Sequence, residues 1–265
     1  MKLPEGYATF LKKIRHYDVG DLAELVDRFS SADQLVDARH PFGKSQPASF
    51  ILDYTQKKYL YGSSGLGRII DRPVSYILDG GLDLGTSFWH QEDLKVYSQQ
   101  VLPQNIKFLK ETPVERHADY LFSYNYRIKT RKGDCKHIVQ QSIFIKSADN
   151  GMPLAVMGLL FDVSKYRSDR KIHHTIELHQ PTLKEKNPSL LLDHLYFLDE
   201  KEQQLTQREM EVLKHLCDDL DSEQIAARMN ISKHTVDNHR RSLLNKTNSK
   251  TSLGLVRFAF DEGYV

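Results

Sequence analysis

Residues 231–246 read ISKHTVDNHRRSLLNK. Within them Lys233, Arg240, Arg241 and Lys246, two histidines and two asparagines stand against one acid, Asp237. Val236, Leu243 and Leu244 are too few to let a helix of this composition bury itself all round, so one face must be shown to something else.

The flanking segments repeat a helix-start pattern. Leu205-Thr206-Gln207-Arg208-Glu209-Met210 has the form of a capping box inside a hydrophobic staple, with Thr206 as N-cap, Glu209 reaching back from the third position and Leu205 packing on Met210. Asp221 with Gln224, and Ser232 with Thr235, repeat the pattern at short intervals. Only Asn230, Ile231 and Ser232 separate the second predicted helix from the third, a helix-turn-helix connection. A fourth helix is predicted from about Thr251, with Gly263 placed to end it. Charge is polarised along this region: Glu202 to Glu223 holds seven acids against Arg208 and Lys214, whereas Arg228 to Arg257 holds seven bases against Asp237.

LTQREMEVLKHL followed by SEQIAARMNISKHTVDNHRRSLLNKT resembles the C-terminal DNA-binding domain of the LuxR family, whose pattern runs LTxRExEVL, EIAxxLxIS and TVxxHxxxIxxK. The resemblance implies that the third helix lies in the major groove, with Asp237, Asn238 and Arg241 at base edges and Lys233, Thr235, His239, Arg240 and Lys246 on phosphates. The chemistry suits those roles: Arg241 pairs bidentately with guanine, Asn238 with adenine, and Asp237 accepts from cytosine N4. The sequence departs from the family where many members carry lysine in place of Asp237, a glycine within Asp218 to Leu220, and Leu-Gly in place of Thr247-Asn248. Asn248 is able to take the left-handed turn that glycine would. Helix four, with Leu255, Val256 and Ala259, is the expected dimer surface, and two-fold pairing implies a roughly palindromic site.

Upstream, Ser49 to Arg167 opens with the β-like runs SFILDY and KKYLYG, passes through short helical stretches, and closes with three strand candidates broken at Arg131-Lys132-Gly133-Asp134 and Asp149-Asn150-Gly151. Two strands, helices, then three strands in meander is not a βαβ alternation. That order, with HQEDL after a Phe-Trp pair and a last strand ending Phe-Asp-Val-Ser, resembles a PAS sensor domain. The resemblance implies one antiparallel sheet wrapped over helices around a small cavity, for which Tyr61, Trp89, Phe122, Tyr124, Phe144 and Met157 are the lining candidates. The same aromatics at strand spacing read equally as plain core. No cofactor is evident, and the domain is expected either to sense an unidentified small molecule or to mediate dimerisation. Cys135 sits in a strand after a turn, away from where a flavin-binding PAS domain keeps its reactive cysteine, and His90 and His117 are the available haem ligands.

The expected fold class is therefore α+β, an N-terminal PAS-like antiparallel sheet with helices followed by an all-α four-helix LuxR-type helix-turn-helix domain. The expected boundaries are a helical prefix at 1–47, the PAS-like domain at 48–167, a connector at 168–204 and the helix-turn-helix domain at 205–265. At 265 residues, with 40% hydrophobic and 27% charged residues and a net charge of +2, the chain has room for two ordinary domains. No secretory signal or run of roughly 20 apolar residues is visible, which reads as cytoplasmic. Two cysteines in different halves make neither a disulfide framework nor a paired-cysteine metal site. Gly65-Leu66-Gly67 lacks the third glycine of a nucleotide loop, and strand alternation sets His173 and His174 on opposite faces, against a shared metal. No nucleophile elbow, Walker loop, zinc signature or kinase motif marks an enzyme, and no catalytic residue is assigned. The expected function is a sequence-specific transcriptional regulator whose partners are double-stranded DNA, a second copy of itself and RNA polymerase. The rival class is a protein–protein interaction module whose helix-turn-helix does not bind DNA.

Overall fold

The structure is a computed structural model that describes residues 3–37, 47–131, 133–166, 171–179, 189–198, 205–261 and Tyr264. It divides into two units, Met1–Ser168 with Ile172–Tyr196, and Asp169–Lys171 with Phe197–Val265.

The first unit begins with α1 (Glu5–Ile14) and α2 (Ala23–Asp37). Tyr7, Phe10, Leu11 and Ile14, spaced by three and four, bury one face of α1. Strands β1 (Ala48–Asp53) and β2 (Lys58–Gly62) follow as an antiparallel pair, matching the runs SFILDY and KKYLYG. Then come α3 (Ser64–Ile70), α4 (Val74–Ser87), α5 (Gln91–Val96), a π-helical turn at Tyr97–Val101 and α6 (Leu102–Glu111). GSSGLGR is thus the start of a helix, where Gly65 lets α3 approach β1: a Cβ there would lie 3.0 Å from the Ala48 Cα. Within α4, Gly81 takes φ 63°, a left-handed value that kinks the helix and lets the Leu82 amide donate to the Lys57 carbonyl at 2.8 Å.

After a 3₁₀ turn at Val114–Asp119, β3 (Tyr120–Lys129), β4 (Cys135–Ser147) and β5 (Pro153–Asp162) form the expected antiparallel meander. Gly151 at φ 77° makes the turn between β4 and β5. The connector expected at 168–204 contains two more strands, β6 (Lys171–Leu178) and β7 (Ser189–Phe197), and β6 pairs antiparallel with β3. Among the described residues, the sheet runs β2-β1-β5-β4-β3-β6-β7. Alternation holds on β6: His174 is fully buried and His173 turns outward to Asp193, with its Nε2 2.6 Å from Oδ1. The Gln180-Pro181 and Asn187-Pro188 breaks lie outside the described residues. No helix among them is long and apolar enough to cross a membrane.

The second unit is helical: α7 (Gln207–Cys217), α8 (Ser222–Met229), α9 (Lys233–Lys246) and α10 (Ser252–Asp261). Thr206 and Asp221 form reciprocal capping boxes with Glu209 and Gln224, and the Ser232 hydroxyl accepts from the Thr235 amide at 3.1 Å. Asn230 at φ 53° ends α8 two residues before the α9 cap, which sets the sharp helix-turn-helix bend. Asn248 takes φ 52° after α9, as its side chain allows. Leu205, Val212, Leu213, Ile225, Val236, Leu243, Leu255 and Ala259 make the core. Gly263 lies outside the described residues.

Candidate nucleic-acid interface and sensor cavity

Helix α9 has 14 residues, about 21 Å at 1.5 Å per residue. Val236 and Leu243 point inward with no exposure. His234, Asn238, Arg241 and Asn245, spaced by four, three and four, are all exposed and form one outward stripe. Of the expected base readers, Asn238 and Arg241 sit on that stripe, and Asp237 is half-buried beside it. His234 and Asn245 were not singled out from the sequence, although their helical spacing from Asn238 and Arg241 was readable there.

The five residues expected on phosphates separate into two groups. Lys233 is exposed and pairs with Glu223 across the helix-turn-helix at 2.6 Å, a surface ion pair worth little. Thr235 and His239 are half-buried on the same helix. Arg240 and Lys246 instead turn back into their own domain. The Arg240 guanidinium donates to the Ser222 hydroxyl at the start of α8 and the Ser252 hydroxyl at the start of α10, both at 2.7 Å.

Lys246 donates to Glu209 Oε2 at 2.8 Å, and Ser242 donates to Oε1 of the same carboxylate. Glu209 is 4% exposed and also accepts from the Thr206 amide. Burial alone would raise its carboxyl pKa. The hydrogen bonds from Lys246, Ser242 and Thr206 outweigh that and hold it down, to about 2. The two residues that carry this clamp are the Glu of LTQRE and the final Lys of SLLNK, 37 positions apart.

The expected dimer surface needs correction. Leu255 and Ala259 are fully buried against the other helices of their own unit, and Val256 is half-buried. The large apolar residues that α10 exposes are Leu253, at 78%, and Phe260, at 63%.

In the first unit, a cavity of about 40 Å³ lies between the sheet and the helices. Trp89 and Tyr124 line it, joined by Tyr7 from α1 and by Tyr54, Tyr59, Tyr97 and Tyr126. Tyr61, Phe122, Phe144 and Met157 do not line it. Phe122 packs edge-on against Phe144 at 4.8 Å and Phe108 at 5.9 Å, deeper in the core. Tyr61 sits on the edge strand against Phe29 of α2, and Met157 falls on β5 between the buried Val156 and Gly158, on the opposite face.

Trp89 stacks on Tyr126 at 3.7 Å, and the Tyr126 hydroxyl donates to Gln140 Oε1 at 2.9 Å. Tyr97 hydrogen-bonds with Tyr54 and Tyr124, and burial pushes its phenol up to about 12. Tyr7, Tyr54, Tyr59, Tyr124 and Tyr126 are raised by burial as well, so the wall is neutral and rich in hydroxyls. The volume holds about three waters, at roughly 10–15 Å³ each, so anything larger enters only if tyrosines move.

The histidines considered as haem ligands are engaged. His117 is buried with Nδ1 2.8 Å from the Ser147 hydroxyl and Nε2 2.9 Å from the Leu109 carbonyl, which leaves neither nitrogen for an iron. His90, Glu92 and Asp93 gather as metal ligands would, but the Arg127 guanidinium occupies their centre, with Nη2 2.6 Å from Asp93 Oδ1, 3.0 Å from Glu92 Oε2 and 3.1 Å from His90 Nδ1. This ion pair ties α5 to β3.

A three-residue turn between α8 and α9, three N-capped helices and an outward polar stripe on the second helix of the pair define a helix-turn-helix domain. Residues 203–259 match the family model described as bacterial regulatory proteins of the luxR family. No curated protein matches the chain. Among solved structures, the chain is similar to the Vibrio cholerae VqmA dimer, a LuxR-type receptor seen in the absence of its target DNA, at 16% identity over 90% of this chain and 88% of that one, with a TM-score of 0.35. It is also similar to the N-terminal domain of a diguanylate cyclase with a PAS/PAC sensor from Marinobacter aquaeolei, at 16% identity over 45% of this chain and 97% of that one, with a TM-score of 0.34. Escherichia coli SdiA gives 13% identity over 97% of each chain, with a TM-score of 0.23.

Proposed function

We propose that the chain is a signal-responsive transcriptional regulator that binds specific duplex DNA as a dimer through α9. The observation that carries this reading is the exposed stripe His234, Asn238, Arg241 and Asn245 on a helix held from behind by Glu209–Lys246 and Arg240. A rigid support with free polar tips is what base readout requires. Asn238 and Arg241 are the main base readers, with Asp237 at the margin. Lys233, once released from Glu223, and Thr235 and His239 supply phosphate contacts. Arg240 and Lys246 act as supports. Pairing of two copies uses Leu253 and Phe260, the apolar side chains that α10 presents. The PAS-like unit supplies the signal input, through its tyrosine-lined cavity or the surface around it.

Fluorescence anisotropy on duplexes selected from a random pool tests the reading. Specific binding should weaken with salt, with log K falling by about 0.9 per log salt for each phosphate engaged. Arg241→Ala should lose about 1–3 kcal/mol and relax preference at one base pair. Salt-independent binding, or unchanged preference in the variant, would favour the protein-interaction module instead.

A further inference from the structure

The sensor unit carries a second concavity with chemistry opposite to that of the tyrosine cavity. A groove of about 430 Å³ runs along α1 and α6, ten times the inner volume and within the size range of small-molecule sites. Its floor is apolar: Phe10, Leu102 and Met152 are buried there, and Ile106 is half-buried. Its rim carries Lys13 from α1 and Lys107 and Lys110 from α6, all exposed, with Glu111 as the one acid in the lining.

We propose that this groove is a binding site for a small amphiphilic anion, a medium-chain carboxylate. Two features of the groove select that class. The floor offers apolar surface but few hydrogen-bond partners, which suits an alkyl chain. The rim adds three positive charges and one negative, so a ligand whose head is an anion gains at the lysines what a neutral head does not.

Occupancy would also be felt inside the domain. Phe10 meets Tyr54 edge-on at 5.4 Å, and Ser98, in the groove lining, accepts from the Tyr7 amide through its hydroxyl at 2.9 Å. Tyr54 and Tyr7 both wall the inner cavity. A chain laid on the Phe10 floor therefore touches the helix that closes the sensor. This inference goes beyond DNA binding and stands whether or not α9 reads bases.

Isothermal titration of the full-length protein with hexanoate, octanoate and octanol tests it. Saturable one-to-one binding of octanoate is expected, about fourfold tighter per added methylene from hexanoate upward, and at least tenfold tighter than octanol. The double variant Lys13→Glu with Lys107→Glu should weaken octanoate at least tenfold, with its circular dichroism melt unchanged because both side chains are exposed. Thr9→Trp, at an exposed lining position, should block uptake by filling the groove. Absence of saturable binding, equal affinity for octanol, or full binding by both variants would overturn the proposal.

Discussion

Replacing Glu209 with glutamine removes one negative charge and almost no volume from the place where α7 and α9 meet. The carboxyl sits at about 2 rather than its ordinary 4.5, a difference of roughly 2.5 pH units, or about 3 kcal/mol of stability held at neutral pH. The sign follows from which state takes up the proton first. As pH falls through 4.5 the unfolded chain protonates this residue while the folded domain does not. The contribution is therefore complete above about pH 5 and lost progressively down to pH 2. Because the chain has two units, a single unfolding transition would mix them, and hydrogen exchange of the α7 and α9 amides in the full-length protein is the suitable assay. Glu209→Gln should lower the opening free energy of these amides by about 2–3 kcal/mol at pH 7 and remove most of the acid-dependent decline below pH 4.5. A change under about 0.5 kcal/mol at pH 7, or an unaltered acid profile, would refute the idea that this carboxylate clamps α9.

In the first unit, Asp93→Asn should cost about 3–5 kcal/mol, read by exchange of the β3 amides, because it leaves the Arg127 guanidinium, 11% exposed, without its main partner; Asp93→Leu combined with Arg127→Met should recover part of that loss. Burial, reinforced by His194 and His173, lowers His174 to about 3, so between pH 6.5 and 3 the unfolded chain holds the extra proton and the stability of the first unit should fall, as pH falls, by about 1.4 kcal/mol per pH unit. Its imidazole resonances in NMR should stay those of a neutral ring down to pH 5, and titration near 6.5 would contradict this. Phe260→Glu, at a position 63% exposed, should leave the stability of the second unit within about 0.5 kcal/mol of wild type while abolishing dimer formation in sedimentation velocity; an intact dimer would move the pairing face elsewhere.

The helix-turn-helix half was legible because its signals are local. Thr206 with Glu209, and Asp221 with Gln224, lie three residues apart, and the caps they form stand in the structure as the spacing implied. The Glu209–Lys246 clamp was not legible, since nothing local says that one lysine of a basic helix bends back 37 positions to a buried acid while Arg241 stays outside. Leu255 and Ala259 illustrate the same limit: an apolar stripe marks the buried side of a helix, and a pairing surface must be sought among the apolar residues left over.

In the sensor half, the strand runs were visible from their turns, but the cavity depends on where each strand lies in the sheet. Phe122 and Tyr124 share a face of β3, yet only Tyr124 reaches the cavity, because Phe122 lies a residue pair further along, beneath Phe108. Tyr7 was hidden by distance in sequence: a helix ahead of the sheet delivers it to a wall built mostly from residues 50–140. Strands β6 and β7 were read as connector because the Pro-containing breaks around them concealed a continuation of the sheet.

Anchoring α9 through Arg240, Ser242 and Lys246 divides its side chains between holding the domain together and facing outward. Positions 234, 238, 241 and 245 bear no share of the internal architecture, so exchanging them should leave folding within about 0.5 kcal/mol of its starting value. A lineage carrying this scaffold is then free to drift at four exposed sites, with no compensating change demanded of the interior.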